Sequence, residues 1–116
     1  MQWARVQVDV NVRLRRGAWY RVMELGPLHT VVEVRGRAVR VLSAFLQIVE
    51  TPPRRWTVVQ RPSRGARVPP GTGDHYAVCP SCRERQPITG RPAAMQCGRC
   101  KEEFEVAWNE QYAPAL

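Results

Sequence analysis

Lysine is almost missing from this chain, where Lys101 stands beside 17 arginines. Genome base composition alone can produce such a bias, so arginine abundance is no functional signal by itself. Long apolar runs are missing as well. No window nears the roughly 18 apolar residues of a membrane-spanning helix, and the opening MQWARVQVDVNV alternates where a signal peptide would have an apolar core. The expectation is a soluble, cytoplasmic chain that does not engage membranes. Its four cysteines then read as reduced thiols or metal ligands rather than a disulfide framework. Catalytic signatures are absent too: there is no Gly-rich phosphate loop, G-x-S-x-G elbow, H-E-x-x-H pair or acid/base constellation. With 116 residues, the chain is too short for a large multi-layer enzyme. A non-enzymatic module is expected. His29, beside a Gly-Pro turn, and His75, four residues before Cys79, have no companion histidine and read as loop residues, His75 being near enough to touch a metal shell.

What is present is a folded, basic composition. Hydrophobic residues make up 44% and charged residues 24%, which argues against wholesale disorder despite 10 Pro and 8 Gly. The net charge of +8 suits polyanionic partners. Residues 1–70 carry 13 Arg against four acids, a balance of +9, whereas residues 71–116 carry five cations against six acids, a balance of −1. Residues 61–73 are rich in Pro, Gly and Arg and lack hydrophobic periodicity, so they read as a linker. The expected organisation is therefore a basic small β-barrel over 1–60, that linker, a second module over 74–108, and a tail over 109–116.

The first half reads as β throughout. Val6, Val8, Val10, Val12 and Leu14 alternate with Gln7, Asp9, Asn11 and Arg13, the period of a strand with one buried face. Further strands are expected over Ala18–Leu25, Thr30–Arg35 and Ala38–Leu42, with Arg35-Gly36-Arg37 as a tight hairpin turn. Ser43-Ala44-Phe45 suits a single 3₁₀ turn leading to a short strand at Leu46, Ile48 and Val49, and Trp56–Val59 supplies a last extended piece. So many short strands favour closure, which removes exposed edges. In element order, Gly17 to Glu50 resembles SH3-like small barrels of the Tudor and KOW type, where a 3₁₀ turn also separates the last two strands. That resemblance implies an all-β fold with an SH3-like barrel first.

Cys79-Pro80-Ser81-Cys82 and Cys97-Gly98-Arg99-Cys100 are two C-x-x-C turns with 14 residues between them. Such turns aim two sulfurs at one centre, and two turns supply a tetrahedral four-sulfur shell with metal–sulfur distances near ~2.3 Å. The segment from Gly71 onward holds few large apolar residues, so metal binding must add to its stability. Phe104, Val106 and Trp108 alternate with Glu103, Glu105 and Ala107, as in a strand packing one face on a metal core. The spacing leaves structural zinc, a rubredoxin-type iron site and thiol or disulfide chemistry as readings. Arg83 and Lys101 stand where rubredoxins place glycine. The pattern over Tyr76–Trp108, with its C-P-x-C first turn, resembles a zinc ribbon. The resemblance implies Cys79, Cys82, Cys97 and Cys100 as ligands of a structural Zn²⁺, four thiolates leaving no open catalytic position.

Arg13, Arg15, Arg16, Arg35, Arg37, Arg54, Arg55, Arg61, Arg64 and Arg67 lie in expected turns, strand ends and the linker, where guanidinium groups reach phosphates. Trp3, Trp19, Tyr20, Phe45 and Trp56 are base-stacking candidates if they face outward, though Trp19, Phe45 and Trp56 read first as barrel core. The functional expectation is a nucleic-acid-binding or ribonucleoprotein-associated accessory module, with RNA or DNA as partner. The competing expectation is a protein-interaction or scaffold subunit of a larger complex.

Overall fold

The computed structural model describes residues 1–8, 12–61 and 68–110. It is all-β, and contacts divide the chain into two compact units, Met1–Pro53 and a second that begins at Arg54.

The first unit holds β1 (Trp3–Val6), β2 (Tyr20–Glu24), β3 (His29–Val34), β4 (Arg37–Leu42) and β5 (Leu46–Val49), in the sheet order β4-β3-β2-β1-β5. This sheet curls into a half-barrel. β3 and β4 run in continuous antiparallel register from His29 opposite Leu42 to Val34 opposite Arg37. Arg35 and Gly36 turn the hairpin with φ of 52° and 78°, the two positive values a two-residue type I′ turn demands. The 3₁₀ turn forms at Ser43–Phe45, as its sequence suggests. Ser43 anchors it by donating its amide to the Leu28 carbonyl (2.8 Å) and its hydroxyl to the Gly26 carbonyl (2.6 Å). The same hydroxyl lies 2.8 Å from that of buried Thr30, so no side-chain oxygen is stranded there. Gly26 is required by close approach, because a Cβ would run into the His29 carbonyl oxygen.

The first alternating run does not make one long strand. β1 ends at Val6, and residues 9–11 lie outside the described part. β2 begins at Tyr20 opposite Ala4 and β5 at Leu46 opposite Val6, so past Val6 the regular ladder gives way to isolated contacts such as the Gln7 amide on the Phe45 carbonyl (2.8 Å). Beyond Val6 the first described turn is held by the Ala18 amide on the Arg15 carbonyl and the Arg15 amide on the Tyr20 hydroxyl, with Leu14 still buried. Alternation therefore identified a buried position without identifying a ladder. β1 also buries Arg5 between its two apolar neighbours. Its Nε donates to Gln47 Oε1 at 2.9 Å, and its guanidinium carbon lies 4.4 Å from the Trp19 ring centroid.

The second unit holds β6 (Arg55–Gln60), β7 (His75–Val78), β8 (Arg85–Pro87), β9 (Ala94–Gln96) and β10 (Glu103–Val106), in the order β8-β7-β6-β10-β9. β6 is central, antiparallel to β7 and parallel to β10. This corrects the expected boundary: the strand around Trp56–Val59 does not complete the first barrel, and the division falls after Pro53 rather than after residue 60. Trp56 is fully buried and donates its indole N–H to the Met95 carbonyl at 3.0 Å. Such a buried indole, with Val58 and Val59, supplies apolar area that a module beginning at residue 74 lacks. Residues 61–73 accordingly join adjacent strands of one sheet, Gln60 pairing with His75 across the connection; its residues 62–67 lie outside the described part. Of the expected tail, residues 109 and 110 are described.

Moving the boundary redistributes the charge. Residues 1–53 carry eight Arg and four acids, and residues 54–116 carry nine Arg plus Lys101 and six acids, so each part has a net charge of +4. The contrast of +9 with −1 came from where the sequence was cut.

Candidate metal centre and basic surface

The two C-x-x-C turns sit at the tips of the β7–β8 and β9–β10 hairpins and repeat one backbone pattern. In the first, the Cys79 amide donates to the Glu84 carbonyl (2.9 Å) and Arg83 donates back to the Cys79 carbonyl (3.1 Å). In the second, the Cys97 amide donates to Glu102 (2.9 Å) and Lys101 donates back to Cys97 (3.0 Å). Arg83 and Lys101 both have φ of 66°, the left-handed conformation that lets the chain reverse after the second cysteine. Amides of Ser81 and Cys82 point at Cys79 Sγ (3.4 and 3.5 Å), and that of Arg99 at Cys97 Sγ (3.4 Å), ready to disperse thiolate charge.

The fold brings all four sulfurs together within 4.8 Å of one another. Across the two turns, Cys79 and Cys100 are 3.7 Å apart and Cys82 and Cys97 3.6 Å. A tetrahedron with metal–sulfur distances of ~2.3 Å has edges of ~3.8 Å, so the cluster fits a single tetrahedral ion. Cys79 and Cys97 are fully buried, Cys82 and Cys100 partly so, and all four are free of disulfides. Burial pushes the Cys79 thiol far above its ordinary range and raises Cys82 as well. At Cys97 burial also pushes upward but is outweighed, chiefly by the amides of Cys100 and Arg99, and its thiol falls below the ordinary value. A bound cation would replace these protons and hold the sulfurs as thiolates.

Cys79 and Cys97 belong to the unit's core with Trp56, Ala77, Ile88 and Val106, and Phe104 and Trp108 pack against it. The cysteine cluster and the apolar core are thus one structure. A residue the sequence did not flag also joins the two hairpins. Gln86, on edge strand β8, donates Nε2 to the Gln96 carbonyl (3.2 Å), and its Oε1 accepts the Gly98 amide (3.0 Å) on the other hairpin. β8 and β9 are opposite edges of the sheet, so this amide closes at the metal end what the strand order leaves open. Nothing in local sequence distinguishes Gln86 from a solvated strand glutamine. His75 is engaged elsewhere, edge-on to Trp108 with ring centroids 5.2 Å apart, and His29 is exposed at the start of β3.

The basic candidates are distributed over both units. Arg13, Arg35 and Arg37 in the first and Arg54, Arg55 and Arg61 in the second are exposed; Arg15 and Arg16 are half-buried, and Arg64 and Arg67 lie outside the described residues. Arg55 bonds the Asn109 side chain and Arg61 the Thr72 carbonyl. Trp19, Tyr20 and Trp56 are buried and unavailable for stacking, while Trp3 and Phe45 are half-buried. Arg91, which the sequence did not single out, places its guanidinium carbon over the Trp108 ring, 4.4 Å from the centroid. Equally unforeseen are exposed Met23, Leu25, Leu28 and Leu42 on the first unit. Among the described residues, no helix is long and apolar enough to cross a membrane. Comparison with protein-family models, curated proteins and solved structures finds no match to this chain.

Proposed function

We propose that this chain is a non-enzymatic nucleic-acid-binding accessory module, associated with a larger ribonucleoprotein or DNA-processing assembly, whose second unit is a ribbon held by structural zinc. Zinc is favoured because the four sulfurs suit a closed tetrahedral thiolate shell, while Arg83 and Lys101 occupy the glycine positions of iron-type turns. The nucleic-acid reading is carried by one observation. Arg13, Arg35, Arg37 and Arg54 are exposed, and among the described residues no side-chain hydrogen bond or ion pair engages their guanidinium groups. Guanidinium groups left unengaged on a chain of net charge +8 are suited to neutralising phosphates. Binding of labelled RNA and DNA, followed by anisotropy, is expected to weaken steeply between about 50 and 200 mM salt. No binding of either polymer near the lower salt would end this reading.

A second reading has its own observation. Leu25 and Leu28 on the β2–β3 connection, Met23 on β2 and Leu42 at the end of β4 expose apolar surface on the first unit, which favours a protein partner. Pull-down with and without nuclease separates the two, since a nuclease-resistant partner supports the protein contact.

A further inference from the structure

Among the described residues, the non-glycine positions with positive φ are Arg35, Arg83 and Lys101, and all three are cations. A Cβ in this conformation meets the backbone carbonyl, a steric cost that glycine escapes and that asparagine offsets by hydrogen-bonding its side chain locally. For two of them the protein supplies the reason. Arg83 and Lys101 close the two cysteine turns beside sulfurs that are anionic when metal-bound. Lys101 Nζ is bound to the Gly98 carbonyl at 2.7 Å, and Arg83 is likewise engaged within the structure.

Arg35 has no such internal reason. The whole tip, Arg35 through Ala38, is exposed, and nothing lies within 4 Å of where a Cβ on Gly36 would stand. Among the described residues, no side-chain hydrogen bond or ion pair engages the guanidinium groups of Arg35, Arg37 or Arg40. Glu33, opposite Ala38 on β3, is the nearest acid in the ladder, and no ion pair ties it to these arginines. A type I′ turn is best served by Asn-Gly, so arginine at its first position is not the residue the fold alone would favour. Backbone strain without an internal compensation points to an external ligand.

We propose that Arg35 is kept at the β3–β4 tip to contact a nucleic-acid phosphodiester, with exposed Arg37 beside it at the start of edge strand β4. The proposal rests on the nucleic-acid reading above and assigns that contact to the first unit's hairpin. Two guanidinium groups at one hairpin tip suit a polymer with repeated charge, and each can bridge two phosphate oxygens. It also predicts opposite signs for binding and stability at one position.

The test compares the full-length wild-type chain with Arg35→Asn, Arg35→Gly and Arg21→Gln. Arg21 is an exposed β2 arginine outside the tip, and its replacement removes the same charge. Anisotropy of matched single-stranded RNA, single-stranded DNA and duplex DNA at several salt concentrations shows which polymer supplies the phosphates. Arg35→Asn and Arg35→Gly are expected to weaken binding roughly tenfold near 50 mM salt and lower the log–log salt slope by about 1, while Arg21→Gln stays within about twofold. Amide exchange in β3 and β4 is expected to slow in Arg35→Asn, because asparagine accepts the turn conformation more readily. If the wild type binds and the Arg35 variants bind equally well, the proposal falls while the nucleic-acid reading stands. An equal loss in Arg21→Gln would assign the effect to bulk charge and also overturn it. Should the wild type bind none of the three polymers, both fall.

Discussion

The two units each fold five short strands and carry the same net charge, yet they are held together differently. The first buries Val6, Trp19, Tyr20, Val32, Val41 and Leu46, and its 3₁₀ turn is tied by ordinary hydrogen bonds through Ser43. The second places two cysteines inside its apolar core, with the other two at its margin. Hydrophobic burial is distributed over many contacts, whereas a metal site concentrates stability in four atoms. The same strand count therefore gives one unit built on apolar packing and one whose core includes a candidate metal site.

The largest expected effect separates them completely. Chelation, or Cys97→Ser, removes a contribution on the order of 10 kcal/mol from the second unit, and amide exchange should show β6–β10 unprotected while β1–β5 stay protected. Acid should do the same. The thiols must release protons to bind metal, and burial raises those of Cys79 and Cys82, so metal is lost as the pH falls. Simultaneous loss of protection in both units would show that they depend on one ion.

Trp56→Ala comes next. Removing a fully buried indole is expected to cost about 3–5 kcal/mol, felt in β7 and β10 and not in β1–β5. Destabilisation confined to the first unit would return β6 to the barrel. The smallest effect belongs to Gln86→Ala, which severs the amide bridge between opposite sheet edges and leaves all four cysteines. Zinc affinity, measured by competition with a chromogenic chelator, is expected to fall by roughly 10–100-fold. Unchanged affinity would mean that the sulfurs alone hold the two hairpins in register.

Much of this was legible locally. The Arg35-Gly36 turn and the Ser43–Phe45 3₁₀ turn depend on a few adjacent residues, and so do both cysteine turns. What misled was the inference from pattern to partner. Val6 to Leu14 alternates, but the regular ladder of β1 ends at Val6; Trp56–Val59 has strand composition, but its partners lie in the second unit. Gln86 acts through two backbone groups at positions 96 and 98, which no local pattern connects to it.

By itself, then, the chain's sequence determined its β character, its reversals and the identity of its four sulfur donors, because each follows from the conformational preferences or chemistry of near neighbours. Tertiary structure alone decided that β6 is the centre of the cysteine-bearing sheet and that the net positive charge is shared equally between two units. A strand's side chains specify which faces can be buried, but its backbone hydrogen-bonding groups are the same at every position and can pair with any edge. Which edge they meet is settled by how the whole core fills.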